Sequence, residues 1–502
     1  MSKFNKKVQS EAKTASYEGG AVYTKALDDE WANALFSSIL QPRFYESDEQ
    51  QEKRFIDLTE AMIDKYDPEL IGKAAIFSRN ELGMRSISSL VAAILNKYQW
   101  PLKRNFYRTY FHRPDDVGEV FSAIDDLGDK RSHALVRGTS DYLSELSAYQ
   151  IGKYPMRKHR YNMHDIINIT HANSDVIDKY QKGTLESPDT WEVKIHSLHD
   201  TESRETEWKR LVEEHKLGYL ALLRNIRNIC KCSFATQKWC DEILIPQITN
   251  AQSIKRSLVW PLHIYTAWKV LDSEGISIEI ELALSKAFEL SIQNMPDFDG
   301  KTLVVLDVSG SMDSGFSRNS NLTIKEVCAV YASAFLSSNF KDNVDFIKFG
   351  TTAKWCNPSE FTSSNKFKLI NFLSNNDCCG YGTEISSVFN LIDNHYDRVF
   401  LFSDMQVMDG RGYWEGSPNS LWSRYLDNFG KSHMYSFDLG NYSTQVFSQN
   451  SKISYITALN DTVFKIIDIQ ENEHKSLLDI VRDYNCHFVS CESSSDDKSV
   501  AS

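Results

Sequence analysis

No apolar run in the 502-residue chain approaches the roughly 20 residues that a membrane-spanning helix needs. The start, Met1-Ser-Lys-Phe-Asn-Lys-Lys, leads into polar sequence without the apolar core of a secretory signal. A glycine loop of the P-loop type is missing, and so is any pairing of a nucleophile with a base, which speaks against nucleotide hydrolysis and covalent catalysis. The nine cysteines are odd in number and scattered, as expected of reduced thiols in the cytoplasm. Basic residues are also short: 56 Lys and Arg face 68 Asp and Glu, a net charge of −12 that taken alone argues against a nucleic-acid partner. What remains is the composition of a globular protein, 41% hydrophobic and 25% charged, long enough for two or three domains.

The average charge hides its distribution. Residues 1–300 carry 39 basic and 44 acidic side chains, yet three stretches run the other way. Pro101–Pro114 holds Lys103, Arg104, Arg108 and Arg113 without an acid, interleaved with Phe106, Tyr107, Tyr110 and Phe111. Ile151–His164 holds Lys153, Arg157, Lys158 and Arg160, again without an acid. Lys216–Pro261 holds seven basic residues, Arg224 and Arg227 among them, against Asp241 and Glu242. Gathered on one face they form a phosphate-binding patch; pointing apart they are ordinary charged helix surface.

From Asp28 to about Leu290 the apolar spacing is helical. Asp67-Pro68 reads as an N-cap with proline in the first turn, and Arg113-Pro114 as another helix start. Ser88–Leu95 is apolar on most sides, as in a buried helix. Residues 174–207 are polar, with Gly183 and Pro188, and read as a loop or irregular insertion. Many modest helices with short breaks suggest stacked HEAT-like pairs, although no strict period is visible. From about Asp297 strands alternate with helices, the grammar of an open parallel sheet. Strands are expected over 302–308, 343–349, 398–404 and 433–439, and helices over 323–338, 365–374, 384–395 and 418–428. The fold class is therefore an α-helical repeat (1–296) followed by an α/β domain (297–490), with a serine-rich acidic tail (491–502) that reads as disordered.

The stretch Thr302-Leu-Val-Val-Leu-Asp-Val-Ser-Gly-Ser-Met312 concentrates the chemistry. A buried-strand pattern ends in Asp307, Ser309 and Ser311, hard oxygen donors suited to Mg²⁺ rather than zinc. Thr383, in a glycine-rich loop, and Asp404, at the end of a second buried strand, add two more. Both aspartates fall at carboxyl ends of strands, where open parallel sheets bind ligands. A capping serine explains Ser309 or Ser311 alone but not the set. The five resemble the metal-ion-dependent adhesion site of von Willebrand factor A domains, which implies a divalent cation, Mg²⁺ with Mn²⁺ or Ca²⁺ as alternatives. Cys230-Lys-Cys232 with Cys240 offers three thiols where a closed zinc site needs four ligands. Cys378-Cys379 reads as packing, with redox sensitivity as the alternative.

Five segments of the first half resemble the TROVE module of telomerase, Ro and vault proteins: Glu18-Gly-Gly-Ala-Val-Tyr23, Leu82-Gly-Met-Arg-Ser86, Arg113-Pro-Asp-Asp116, Tyr219-Leu-Ala-Leu-Leu-Arg-Asn-Ile-Arg-Asn-Ile229 and Ser257-Leu-Val-Trp-Pro261. Followed by an A domain, the arrangement is similar to the Ro autoantigen and its bacterial relatives. The resemblance implies a monomeric ring of helical repeats bridged by the A domain. It also implies a non-catalytic RNA-binding protein that takes a structured small RNA of the Y type on its outer surface. Single-stranded ends of misfolded RNA would enter the hole, and an RNA-processing protein is a further implied partner. Hole-lining residues correspond to Lys153, Arg157, Lys158, Arg160 and then His171, where relatives continue with Lys-Pro and this chain has Asn173-Ser174. The alternative is a scaffold that binds a protein through the A domain and has lost RNA.

Overall fold

The computed structural model describes residues 13–17, 19–37, 47–154, 156, 160–186, 188–296, 298–316, 320–336, 343–357, 365–377, 379–407, 417–440, 442, 444–448, 452–456, 463–473, 476–486 and 488. The expected tail, 491–502, lies outside them. The chain divides into two compact units, residues 52–200 with 475–502, and residues 1–51 with 201–474. Each joins segments far apart in sequence.

The first unit is helical. Asp67 caps the helix Pro68–Asn80 by accepting from the Leu70 amide at 2.9 Å, as the Asp-Pro signal predicts. That helix packs on Arg85–Ile94, which in turn packs on Pro114–Asp126. The C-terminal helix Leu477–Asp483 returns to Pro68–Asn80, with Tyr484 edge-on to Phe77 at 5.2 Å. Lys103–Tyr110 lies on His133–Ser144 so closely that a Cβ on Gly138 would sit 2.4 Å from the Arg104 carbonyl. The aromatic half of the 101–114 stretch is core: Phe106, Tyr107, Tyr110 and Phe111 are buried. Tyr107 donates to the Ala92 carbonyl at 2.8 Å, and Tyr110 meets Ser88 and Ser89 at 3.0 Å. These rings tie helices together and are not available to stack on bases.

The expected loop at 174–207 is instead largely helical, with Asp175–Gln181, Trp191–Ser197 and the start of Thr201–Glu213. Local capping outweighs the polar composition: Ser174 accepts from the Ile177 amide, and Trp208 and Leu211 supply an apolar anchor downstream.

The second unit is built on a six-stranded sheet in the order Ala353–Cys356, Val344–Phe349, Thr302–Asp307, Arg398–Ser403, His433–Asp438 and Ile453–Ile456. Its strands are β3 (Thr302–Asp307), β4 (Val344–Phe349), β5 (Ala353–Cys356), β6 (Arg398–Ser403), β7 (His433–Asp438) and β9 (Ile453–Ile456). β3 is parallel to both β4 and β6, and every residue of β3 and β6 is buried, so each of these strands has an unbroken apolar centre. The sheet is mixed, because β5 folds back antiparallel on β4. Helices Ile324–Phe335, Lys366–Ser374 and Pro418–Phe429 match expectation, whereas 384–395 forms only the short helix Ser386–Phe389.

Two helices and a small second sheet also belong to this unit. Helices Pro261–Asp272 and Ile278–Ser291 lie against the α/β part: Trp268 stacks on Phe367 at 4.4 Å, and Lys269 pairs with Glu326 at 2.6 Å. The N-terminal strands β1 (Lys13–Ala15) and β2 (Ala21–Thr24) form a small sheet with β8 (Thr444–Gln445), and Val22 enters the main core. No described helix is long and apolar enough to cross a membrane.

One polar network holds the helical unit. Asp116 is fully buried and receives Arg79 at 3.0 Å and Arg85 at 2.9 Å, and Arg85 also reaches Asp115 at 2.9 Å and Glu119 at 3.1 Å. The Asp116 carboxylate caps its own helix as well, accepting from the Arg113 amide at 3.0 Å. Removing it takes from both guanidinium groups the carboxylate they share. Asp116→Ala is expected to lower the unfolding free energy by about 3–5 kcal/mol in chemical denaturation. A loss below about 1 kcal/mol, the worth of a surface pair, would show that the arginines find other partners.

Candidate cation site and basic surface

Asp307 ends β3, and Ser309 and Ser311 follow in a tight turn. Asp404 directly follows β6, the strand paired alongside β3, so strand register alone brings the two aspartates to one edge of the sheet. Asp307 Oδ1 accepts from the Ser309 amide at 2.8 Å, and the Ser309 and Ser311 hydroxyls lie 3.4 Å apart. Ser311 in turn hydrogen-bonds the Asp404 carboxyl. Thr383 arrives on the glycine-rich loop, which is pinned where the Gly310 amide donates to the Tyr381 carbonyl at 2.9 Å. The structure thus gathers the loops that carry all five expected donors, and each of the five side chains is buried.

Three residues without a place in the sequence motif complete the construction. Ser403 donates to Asp307 Oδ2 at 2.6 Å and fixes that carboxylate from behind. Asn376 donates to the carbonyls of Val308 and Gly380, both at 2.8 Å, and so joins the first and second loops. Gly350 passes the second loop so closely that a Cβ would lie 2.2 Å from the Gly380 carbonyl. Ser403 had a signal in sequence, since it stands beside Asp404 at a strand end. Asn376 and Gly350 had none.

Several observations fit a hard cation among these side chains. The donors are all oxygens. The buried Thr383 Oγ1 has no hydrogen-bond partner among the described residues. Burial, and then the Asp307 charge, push the Asp404 carboxyl well above the ordinary carboxylate range. Two neighbouring buried carboxylates and a buried unsatisfied hydroxyl are costly unless positive charge joins them. Among the described residues no three His, Cys, Asp or Glu side chains form a metal-binding group. The Cys230, Cys232 and Cys240 thiols are accordingly free; burial, and then the neighbouring thiols, push Cys230 up to about 12. Cys379 is a buried thiol outside any disulfide, and Cys378 lies outside the described residues.

The ten expected RNA-contacting residues fare unevenly. Lys103 is a correction: it is buried, its ammonium donates to the Asn96 carbonyl at 2.6 Å, and burial pulls its pKa down to about 8. Arg104 pairs with Asp141 at 2.8 Å, and Arg108 pairs with Glu145. Exposed Arg160 pairs with Asp126 at 2.7 Å. Lys153 leans over the Tyr149 ring at 5.4 Å. His171 is exposed, in a left-handed conformation (φ 53°) that ends the helix Met163–Thr170. Arg157 and Lys158 lie outside the described residues. The helix Tyr219–Cys230 presents Arg224 and Arg227 to solvent. Arg227 shares Glu274 with Lys231, while Arg224 has no hydrogen-bond or ion-pair partner among the described residues. Exposed Lys255 and Arg256, on the next-packed helix Ala251–Ser257, add to the same unit's basic surface.

Residues 171–285 match the TROVE domain family, and the matched segment includes His171, Arg224, Arg227, Lys255 and Arg256. The fold is similar to that of the Ro protein (RSR) of Deinococcus radiodurans, with a TM-score of 0.61 and 14% identity over 88% of this chain and 99% of that one. Telomerase protein component 1 of Rattus norvegicus is 20% identical over 298 residues, which cover 41% of this chain and 11% of that protein. The Mus musculus protein of the same name is 31% identical over 103 residues, 19% of this chain and 4% of that protein. The chain therefore matches only a small part of either telomerase component.

Beside Arg224 lies His263, whose pKa is lowered to about 4 by burial and then by the Arg224 charge. A folded pKa below the ordinary 6.5 means the neutral ring is favoured in the native state. Its contribution to stability is complete above pH 6.5 and is lost as pH falls toward about 4. The melting temperature is expected to drop across that window, with a smaller drop in His263→Phe. An identical pH profile in that variant would remove His263 as a cause.

Proposed function

We propose that the chain is a non-catalytic RNA-binding protein that holds a structured small RNA of the Y type and single-stranded ends of misfolded RNA, for RNA quality control or processing. The observation that carries this reading is the TROVE match over residues 171–285, combined with the exposed basic side chains inside that same segment. Arg224 is the strongest candidate contact, because its charge is not already spent on an acid among the described residues. Arg104, Arg108 and Arg160 would have to exchange Asp141, Glu145 and Asp126 for phosphate. Arg104 and Arg108 are partly buried and Arg160 is exposed, so Arg160 gives up its acid most cheaply, an exposed pair being worth about 0–1 kcal/mol. We read the helices as HEAT-like pairs and the α/β part as a von Willebrand factor A domain. Its Asp307, Ser309, Ser311, Thr383 and Asp404 would hold a divalent cation, Mg²⁺ first. When bound, the cation supplies positive charge and an open coordination position, and the protein's part is to fix the oxygens. The free thiols suit a cytoplasmic location.

Tyr381, 77% exposed on the loop that brings Thr383, favours a second use of the same site: docking of a protein partner, such as an RNA-processing protein, whose carboxylate completes the cation's shell.

The two activities separate by mutation. Arg224→Glu with Arg227→Glu is expected to weaken binding of a structured small RNA and to reduce the slope of log K against log salt by about one for each phosphate no longer neutralised. An unchanged slope contradicts the phosphate role. Asp307→Ala is expected to abolish Mg²⁺ binding in calorimetry while sparing RNA binding. Loss of both would contradict the division of labour.

A further inference from the structure

The N-terminal arm, residues 13–25, lies on the one loop that carries Asp404. Asp404 is followed by Met405, held at φ 59°, a left-handed conformation that a non-glycine residue keeps only when its surroundings enforce it. Next comes Gln406, fully buried, whose backbone amide donates to Asp404 Oδ1 at 3.2 Å. Its side-chain Oε1 accepts from the Tyr17 amide at 3.0 Å. The following carbonyl, of Val407, accepts twice from the arm, from Ser16 Oγ at 2.6 Å and from the Gly20 amide at 3.1 Å. A fourth tie runs through charge. Lys25 is buried and donates to Asp438 Oδ2 and to the Tyr442 carbonyl, each at 2.6 Å. Asp438 ends β7 opposite Ser403 of β6, one residue before Asp404, and its charge is felt at Asp404. Two of these arm residues, Ser16 and Lys25, are separated from their partners by about four hundred positions in sequence, so the arm has no local reason to be there.

We infer that the N-terminal arm is a positioning element of the candidate cation site, and that its docking and cation binding reinforce each other. The inference rests on the cation reading proposed above. Its physical basis is that the left-handed Met405 turn and the Asp404 carboxylate share one short loop, and the arm supplies that loop's outer hydrogen bonds. A loop released from the arm loses the constraint that aims Asp404 toward Asp307 and Ser311. By linkage, a cation that stabilises the aimed loop must stabilise arm docking by the same factor.

The test uses the full chain and Mn²⁺ as probe. Amide exchange at Tyr17 and Gly20 is followed with and without saturating Mn²⁺, alongside calorimetric titration of the wild type, Ser16→Ala and Gln406→Leu. The expected result is slower exchange of the arm amides with Mn²⁺, and a dissociation constant raised about tenfold in each variant. Two variants touching the arm from opposite sides guard against one failing to fold. Normal Mn²⁺ binding with arm exchange unchanged and variant affinities intact overturns the inference while leaving the cation reading in place. No Mn²⁺ binding by the wild type overturns the cation reading itself, and the inference falls with it.

Discussion

Two carboxylates buried at the ends of adjacent parallel strands set the terms for the α/β unit. Asp307 and Asp404 are brought together by strand register, and hydroxyls and backbone amides hold them in place. Such a pair is expensive in a low-dielectric interior. The surrounding loops are arranged to hold it nonetheless: Ser403 behind Asp307, Asn376 between the first and second loops, and Gln406 with the N-terminal arm behind Asp404. An all-oxygen cluster maintained at this expense is the physical argument for a cation, and it stands independently of the motif.

The helical unit solves the opposite problem. Its basic residues are plentiful, and most that can be traced are already satisfied. Arg79 and Arg85 converge on the buried Asp116, and Arg104, Arg108 and Arg160 each find an acid. This accounts for an acidic protein with basic stretches: much of the positive charge is structural. The basic side chains exposed on Tyr219–Cys230 and Ala251–Ser257, which belong to the other unit, are therefore more telling than the stretches as a whole, because Arg224 adds field with no paired acid among the described residues.

What could be read in the sequence follows physical lines. The central strands β3, β4, β6 and β7 were legible because strands covered on both faces are rich in apolar, β-branched and aromatic residues, and the expected ranges differ from the observed ones by a residue or so at the ends. The edge strands β5, β8 and β9 were not, since short, partly exposed strands lack that signature. The helices within 174–213 were hidden by polar composition, their starts depending on single caps such as Ser174. The five oxygen-bearing side chains Asp307, Ser309, Ser311, Thr383 and Asp404 stood out in the sequence because strand ends and one glycine-rich loop restrict their places, and the structure buries all five. Lys103 was misread because a basic residue among aromatics suggests a nucleic-acid surface, whereas the aromatic spacing was that of a core-facing helix that took the lysine with it. The arm's ties to Gln406, Val407 and Asp438 span almost the whole chain, and no local pattern announces contacts of that range.

The proposal that this chain holds RNA is tested by purifying the protein from its native host at low salt and sequencing the RNA that accompanies it. The expected result is a discrete, structured small RNA, enriched over total RNA and depleted when Arg224 and Arg227 are reversed. Recovery of no RNA above background would contradict it, and the cation site with its exposed Tyr381 would then be the place to look for function.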